Sequence, residues 1–170
     1  MDISKDIKKV IICFYPVYKG GDNTEVVFKD GSQSIKYANV RIYLKDLAYY
    51  YNTDLKSLSK HTAEELGQKY SNPLPIGGQV WVPYYVRKSK IKRDTCTGYF
   101  ALSYIKGLHR IGNKVLLEMR PGLSIKINNR PSTANKRLNN ARLLEKLIKN
   151  GERSEYIKTF LENVLFLLKK

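Results

Sequence analysis

Basic and amide side chains are concentrated in the second half of the chain, where they form three clusters. The first is Arg87, Lys88, Lys90, Lys92 and Arg93. The second is Lys106, His109, Arg110 and Lys114. The third is Arg130, Lys136 and Arg137, with Asn129, Asn139 and Arg142 beside them. Lysine and arginine bind phosphate oxygens, and arginine and asparagine also bind base edges. These residue types predict a nucleic-acid surface.

The charge of the whole chain favours the same class of partner. Its 170 residues include 31 Lys and Arg against 15 Asp and Glu, a formal net charge of +16. Fewer charges would suffice for solubility, so the excess indicates a polyanion, with nucleic acid ahead of an anionic membrane surface.

The sequence also predicts a cytoplasmic protein that does not enter the membrane. No apolar run is long enough to span a bilayer. The apolar patch near the N-terminus is broken by Pro16, and no small-residue cleavage site follows it, so we interpret it as a strand rather than a signal peptide. Cys13 and Cys96 are too few for a disulfide framework and predict free thiols in a reducing compartment.

We find no convincing catalytic set and predict neither an enzyme, a cofactor nor a metal site. His61 and His109 are the only histidines, and neither belongs to an HxxxH or CxxC pattern. Cys96 follows the first basic cluster, which would lower the pKa of its thiol, although a buried strand cysteine is more common. A tyrosine-nucleophile strand-transfer set would be Arg93, His109, Arg110 and Tyr156, but 13 tyrosines allow such a set by chance.

The clusters lie around a predicted hairpin and helix within residues 107–149. Apolar residues at every second position predict two strands: Val115, Leu117, Met119, and Leu123, Ile125, Ile127. Pro121 and Gly122 fit a type II turn between them, but a plain type II turn splays hairpin strands, so we expect a slightly longer loop. Ser132 is the predicted N-cap of the helix. Its apolar face is Ala134, Leu138, Ala141, Leu144 and Ile148. The opposite face is either a solvated basic face or a nucleic-acid surface.

Further elements follow from the same patterns. The predicted strands are 9–18, 25–29, 32–37, 79–86 and 98–105, with Asp30-Gly31 as a hairpin turn. Pro83 indicates an edge position for its strand. The predicted helices are 40–51, 55–66 and 154–168. Thr53 or Asp54 caps the second of these and Gly67 ends it. Residues 72–78 read as a loop.

Residues 23–51 and 113–148 both read as a hairpin with a glycine turn, a Ser-Ile-Lys tripeptide in the second strand, and a helix. This pattern is either a diverged repeat or a chance match. We predict an α+β fold: a β-rich antiparallel body with two similar hairpin-then-helix halves and a C-terminal helix. The predicted units are residues 1–72, a DNA-binding half at 73–151, and a C-terminal helix at 152–170 that serves dimerisation.

Residues 81–144 resemble the second half of ComK, the competence transcription factor family. There an apolar strand ending in proline precedes a Cys-Gly-aromatic step, a strand, a hairpin with a glycine turn and a Ser-containing basic segment. The matching positions are Pro83, Cys96, Gly98, Tyr99, Gly122, Ile125, Ile127, Ser132 and Arg137. Thr97 separates Cys96 from Gly98, a departure from the family pattern. The segment from Gly98 onward is also similar to the C-terminal half of LytTR-type DNA-binding domains.

This resemblance implies a bacterial transcription regulator that binds double-stranded DNA. ComK proteins bind A+T-rich boxes as multimers, largely through the minor groove, whereas LytTR domains place loops into successive major grooves. We therefore expect sequence-specific DNA binding, with sequence preference from Arg130 and Arg137 and phosphate contacts from Lys88, Lys90 and Lys92. The alternatives are an RNA-binding or ribosome-associated protein and a nucleic-acid-processing enzyme.

We also expect a homodimer or a higher multimer. The predicted C-terminal helix carries an apolar stripe with further apolar residues beside it: Ile157, Phe160, Leu161, Val164 and Leu168, with Leu165, Phe166 and Leu167. This wide apolar surface predicts a helix-to-helix dimer that matches a two-fold operator. The alternative is that the chain's own strands cover it.

Overall fold

The computed structural model describes the backbone of residues 3–168 and the side chains of residues 3–155. The strands β1 to β9 are Ile11–Tyr18, Asp22–Phe28, Gln33–Lys36, Leu74–Ile76, Gln79–Tyr85, Thr97–Ala101, Ile105–Ile111, Lys114–Met119 and Leu123–Ile127. The helices α1 to α4 are Ser4–Ile7, Val40–Tyr50, Leu55–Leu66 and Pro131–Leu168. A short 3-10 turn, Leu102–Tyr104, joins β6 to β7.

The strands form two antiparallel sheets. One has six strands in the order β3-β2-β1-β6-β5-β4, and the other has three in the order β7-β8-β9. The larger sheet continues across the predicted boundary at residue 72, because Cys13 and Phe14 of β1 pair with Phe100 and Tyr99 of β6. The α+β prediction is confirmed, and the two hairpin-then-helix units are β2-β3-α2 and β8-β9-α4.

Two apolar cores lie on opposite faces of the six-stranded sheet. On one face, α1 and α2 cover side chains that include Phe14 and Trp81. On the other face, the three-stranded sheet and α4 cover Val82, Tyr84 and Phe100. Burial of each such side chain contributes about 1.5–3 kcal/mol. The sheet therefore forms the middle layer, and the first core ties the N-terminal segment to the second half of the chain.

The buried face of α4 is confirmed, but its start and its length differ from the prediction. The helix begins at Pro131, so Ser132 is not its N-cap. Proline suits the first helical position because its φ is preset and its missing N–H would be unpaired there anyway. The helix continues through Gly151, since one glycine costs only about 1 kcal/mol relative to alanine. Residues 154–168 are therefore helical, as predicted, but they form the final part of α4 and not a separate element.

The apolar stripe predicted for dimerisation falls on the final part of α4. Its side chains lie outside the residues that the structure describes at that level, so the dimer stays a prediction. The stripe comprises Ile157, Phe160, Leu161, Val164 and Leu168, with Leu165, Phe166 and Leu167 beside it.

Three predictions about strands are wrong. Residues 105–111, of which only residue 105 was predicted to lie in a strand, form the edge strand β7. Residues 74–76, read as loop, form β4. Pro83 does not mark an edge strand, since β5 lies between β4 and β6. Pairing with β4 ends at Trp81, so the ladder on that side stops before Pro83 and proline is tolerated.

Turn and cap predictions in the first half are confirmed. The connection between β8 and β9 is a three-residue loop, 120–122, in place of a plain type II turn, as expected. Gly31 has a φ of +82°. Asp54 caps α3 by accepting the Ser57 N–H at 2.6 Å, and Gly67 ends that helix in the left-handed conformation. Gly122 has a φ of +137°, and the peptide bond before Pro121 is cis. Within the described residues, no helix is both long and apolar enough to cross a membrane.

Candidate nucleic-acid interface

The first basic cluster lies on the connection between β5 and β6, residues 86–96, which we call the basic loop. Lys88, Lys90, Lys92 and Arg93 are all exposed. The Lys90 ammonium lies 4.6 Å from the centroid of the Tyr18 ring at the end of β1, a cation–π distance. The loop therefore presents several cations while resting on the first half of the chain.

Arg87 is held inside a polar group that we call the clasp: Asp22, Arg87, Asp94 and Thr95. The Arg87 guanidinium donates to both carboxylate oxygens of Asp94 at 2.6 Å and to Asp22 at 2.9 Å. Asp22 also accepts the Thr95 N–H at 2.9 Å and its hydroxyl at 2.7 Å. Bidentate Arg–carboxylate pairs are strong and directional. The clasp therefore fixes both ends of the basic loop to the start of β2.

The clasp controls the protonation of its inner carboxylate. The Arg87 guanidinium and the Lys90 N–H, which donates at 2.8 Å, hold the pKa of Asp94 at about 2. The Asp94 side chain is 0% exposed, and that of Arg87 is 15% exposed. The carboxylate therefore stays charged in neutral solution, and the loop geometry that depends on it does not titrate there.

We expect Asp94 to add an acid-sensitive part to the stability. Its folded pKa of about 2 lies below the ordinary value of about 3.9. Its contribution is then complete above about pH 4 and lost as the pH falls towards 2. Urea unfolding of the wild type and of Asp94→Asn should show a difference in unfolding free energy that shrinks below pH 4. A difference that stays constant from pH 6 to about pH 2.5 would count against this role.

A groove of about 570 Å³ lies between the basic loop and the first turn of α2. Arg41 of α2 and Lys88 of the loop line it, together with Tyr85, Tyr99 and Asn128. Its size is within the range of ligand-binding clefts, roughly 300–1,000 Å³. The Asn128 N–H donates to the Tyr85 carbonyl at 2.6 Å, so the groove runs from the loop towards the start of α4.

Cys96 also lines this groove, but it is not an activated thiol. Partial burial raises its pKa by more than the charge of Arg87 lowers it, so the predicted lowering by neighbouring cations is wrong. Cys13 is buried, and its pKa is raised by loss of solvation. Both cysteines are free, as predicted.

The second basic cluster belongs mainly to the outer face of the three-stranded sheet, which points away from α4. His109, Leu116 and Lys126 form a row across the three strands. Glu118 on this face accepts from Lys106 at 2.6 Å and lies 2.7 Å from His109 Nε2. Glu118 therefore offsets part of the positive charge of this face, and these two neighbours lower its pKa.

Sequence reasoning missed Lys126 as a member of this face. Lys114 and Lys126 line the same surface cavity. A side-chain hydrogen bond with Lys114, and secondarily the charge of Lys114, lowers the pKa of Lys126. The alternation of Ser124, Ile125, Lys126 and Ile127 was the available signal, because it puts Lys126 on the face opposite the core. Arg110 is exposed, and its Nε donates to the Gly112 carbonyl at 2.9 Å.

The third cluster divides into exposed and inward-facing members. Exposed side chains near the start of α4 and along it are Arg130, Lys136, Asn139 and Arg142. Asn129 accepts the Tyr85 N–H at 2.8 Å, and Arg137 donates to the Pro83 carbonyl at 2.9 Å. Burial lowers the pKa of Arg137. These two bonds hold the start of α4 against the end of β5.

The structure thus brings the basic loop and the start of α4 to the same end of β5. Arg87, Asn129 and Arg137 bond to the protein itself in this arrangement. The role of these three residues as DNA contacts remains a prediction. In the structure, each of them makes a hydrogen bond that holds parts of the protein together. The exposed candidates in this region are Lys88, Lys90, Lys92, Arg93, Arg130 and Lys136.

Comparison with known proteins assigns no family. No protein-family model, curated protein or solved structure matches the chain. The ComK and LytTR resemblance therefore stays a prediction. The described residues also contain no group of three or more His, Cys, Asp and Glu side chains that could hold a metal ion.

Proposed function

We propose that this protein is a sequence-specific, double-stranded DNA-binding transcription regulator of ComK-like type. The observation that carries the proposal is the basic loop, which the clasp fixes at both ends beside the groove and the start of α4. A loop that is already ordered loses less conformational entropy when it binds. The net charge of +16 favours a polyanion as the ligand. The family resemblance adds A+T-rich sites and a multimeric state to the proposal, and the lack of a long apolar run in the sequence adds no membrane association.

Duplex DNA is favoured over RNA by the character of the exposed sheet face. Sheet-based RNA readers stack bases on aromatic side chains. The outer face of the three-stranded sheet instead presents aliphatic, basic and acidic groups, with His109, Leu116 and Lys126 in its central row. The exposed cations lie on a loop and at a helix start, which are common sites for contacts to duplex phosphates.

We expect duplex binding to depend steeply on salt. If about six phosphates are neutralised, the slope of log affinity against log salt should be near −5. Fluorescence anisotropy with a labelled A+T-rich duplex measures this slope, and a flat salt titration would contradict the proposal. In competition, the A+T-rich duplex should displace the probe better than G+C-rich duplex, single-stranded DNA or RNA.

The same samples test the alternative functions. If RNA were the best competitor, RNA binding would replace the proposal. Chelator-sensitive cleavage of the labelled strand on a denaturing gel would instead indicate a nucleic-acid-processing enzyme.

A further inference from the structure

We propose that the groove between the basic loop and α2 seats the sugar–phosphate backbone of the bound DNA, and that Arg41 is a DNA contact supplied by the N-terminal half. This inference rests on the proposed function and extends it, because the DNA surface predicted from the sequence lies wholly within residues 87–142.

The two walls of the groove come from distant parts of the chain and each carries a cation. Arg41 is an exposed residue in the first turn of α2, and Lys88 lies on the opposite wall, in the basic loop. Cys96 and Tyr99 line the groove together with Arg41. The charge of Arg41 acts to lower the pKa of both groups, although burial raises each pKa by more. Arg41 is therefore close enough to bind an anion that lies in the groove.

The acidic groups at the groove do not compete with a bound anion for Arg41 and Lys88. Asp94 is the carboxylate in the lining, and both of its oxygens are occupied by Arg87. Asp22 is also bonded to Arg87 and to Thr95. The clasp has one arginine against two aspartates, but the carboxylates bond within it. The cations left to face the groove are Arg41 and Lys88.

The form of the groove favours a polymer over a small anion. It is open, and its lining includes Ser89, next to the exposed Lys90, and Asn128, two positions before the exposed Arg130. A free phosphate would meet only the central pair, whereas a DNA strand would meet all of these cations in succession. The lining between them is polar and aromatic: Tyr85 is 46% exposed, and its ring and hydroxyl, with the Asn128 amide, suit deoxyribose and base edges.

Arg41→Ala tests this inference, with Lys45→Ala as a matched control. Both side chains are exposed on α2 and both changes remove one positive charge, but Lys45 does not line the groove. We expect Arg41→Ala in the full chain to weaken binding of an A+T-rich duplex about fivefold near 0.15 M salt and to reduce the salt slope by about 1. Lys45→Ala should stay within about twofold of the wild type, and Arg41→Lys should recover most of the affinity. Circular dichroism and thermal melting check that each variant is folded.

The outcomes separate this inference from the proposed function. If the wild type fails to bind duplex DNA, the proposed function fails and the groove assignment with it. If the wild type binds with a steep salt slope but Arg41→Ala and Lys45→Ala behave alike, the groove assignment alone is overturned. It is also overturned if Arg41→Ala abolishes binding of inorganic pyrophosphate but leaves DNA affinity unchanged, because the groove is then a small-anion site.

Discussion

Replacing Lys88, Lys90 and Lys92 together with alanine should weaken duplex DNA binding by a little over 100-fold, about fivefold for each lysine, near 0.15 M salt. Each phosphate contact contributes about 0.9 to the log–log salt slope and, through counterion release, about fivefold in affinity at this salt concentration. The slope should therefore change from about −5 to about −2.5. Anisotropy titrations at several salt concentrations measure both quantities on the same samples.

A control of equal charge distinguishes a local contact from a general effect of net charge. Lys5, Lys8 and Lys29 are exposed and lie around the start of β1 and the end of β2. These strands have eight and seven residues, which places their far ends about 20–25 Å from the basic loop. The Lys5/Lys8/Lys29→Ala variant should lose less than about threefold in affinity. Equal losses in the two triple variants would show that the basic loop is not the binding site.

Replacing Arg87 with alanine should destabilise the protein by about 2 kcal/mol and lower the melting temperature by about 4–8 °C. The change leaves the carboxylates of Asp22 and Asp94 beside each other with no cation between them. Removing one partner of a fully buried ion pair costs about 3–5 kcal/mol. We expect less here because the Arg87 side chain is still 15% exposed. Chemical denaturation and thermal melting measure the loss.

The Arg87 variant also tests how the clasp serves DNA binding. If Arg87 acts by holding the basic loop, affinity should fall while the salt slope changes by less than about 0.5, since no phosphate contact is lost. A slope reduced by about 1 would instead restore the sequence-based prediction that Arg87 itself contacts phosphate.

A second variant separates charge repulsion from loss of packing. Arg87→Met combined with Asp94→Asn removes the repulsion between the carboxylates and should be more stable than Arg87→Ala. A melting temperature of Arg87→Ala equal to that of the wild type would show that the clasp contributes no stability.

Elements whose conformation depends on residues close to them in the sequence could be predicted from the sequence. Strands β8 and β9 follow from alternation, and the buried face of α4 follows from helical spacing. The ends of α3 follow from Asp54 and Gly67, which act on backbone groups within one turn. Where two local signals compete, as at Pro131 and Ser132, the start of α4 was misplaced by two residues, because an N-cap at Ser132 would begin the helix at residue 133. The short strand β4 has only three residues and exists because β5 pairs with it, so its own pattern carries too little information.

The sequence by itself determined the α+β class, most helices and strands, and the chemical character of the candidate site. Only the tertiary structure decided which basic residues are free. Arg87 meets Asp22 across 65 positions, and Arg137 meets the Pro83 carbonyl across 54, whereas Lys92 and Arg130 are exposed. An arginine has the same charge and the same donors in either setting. Whether it faces solvent or a carboxylate depends on contacts between distant segments, and a local pattern does not contain them.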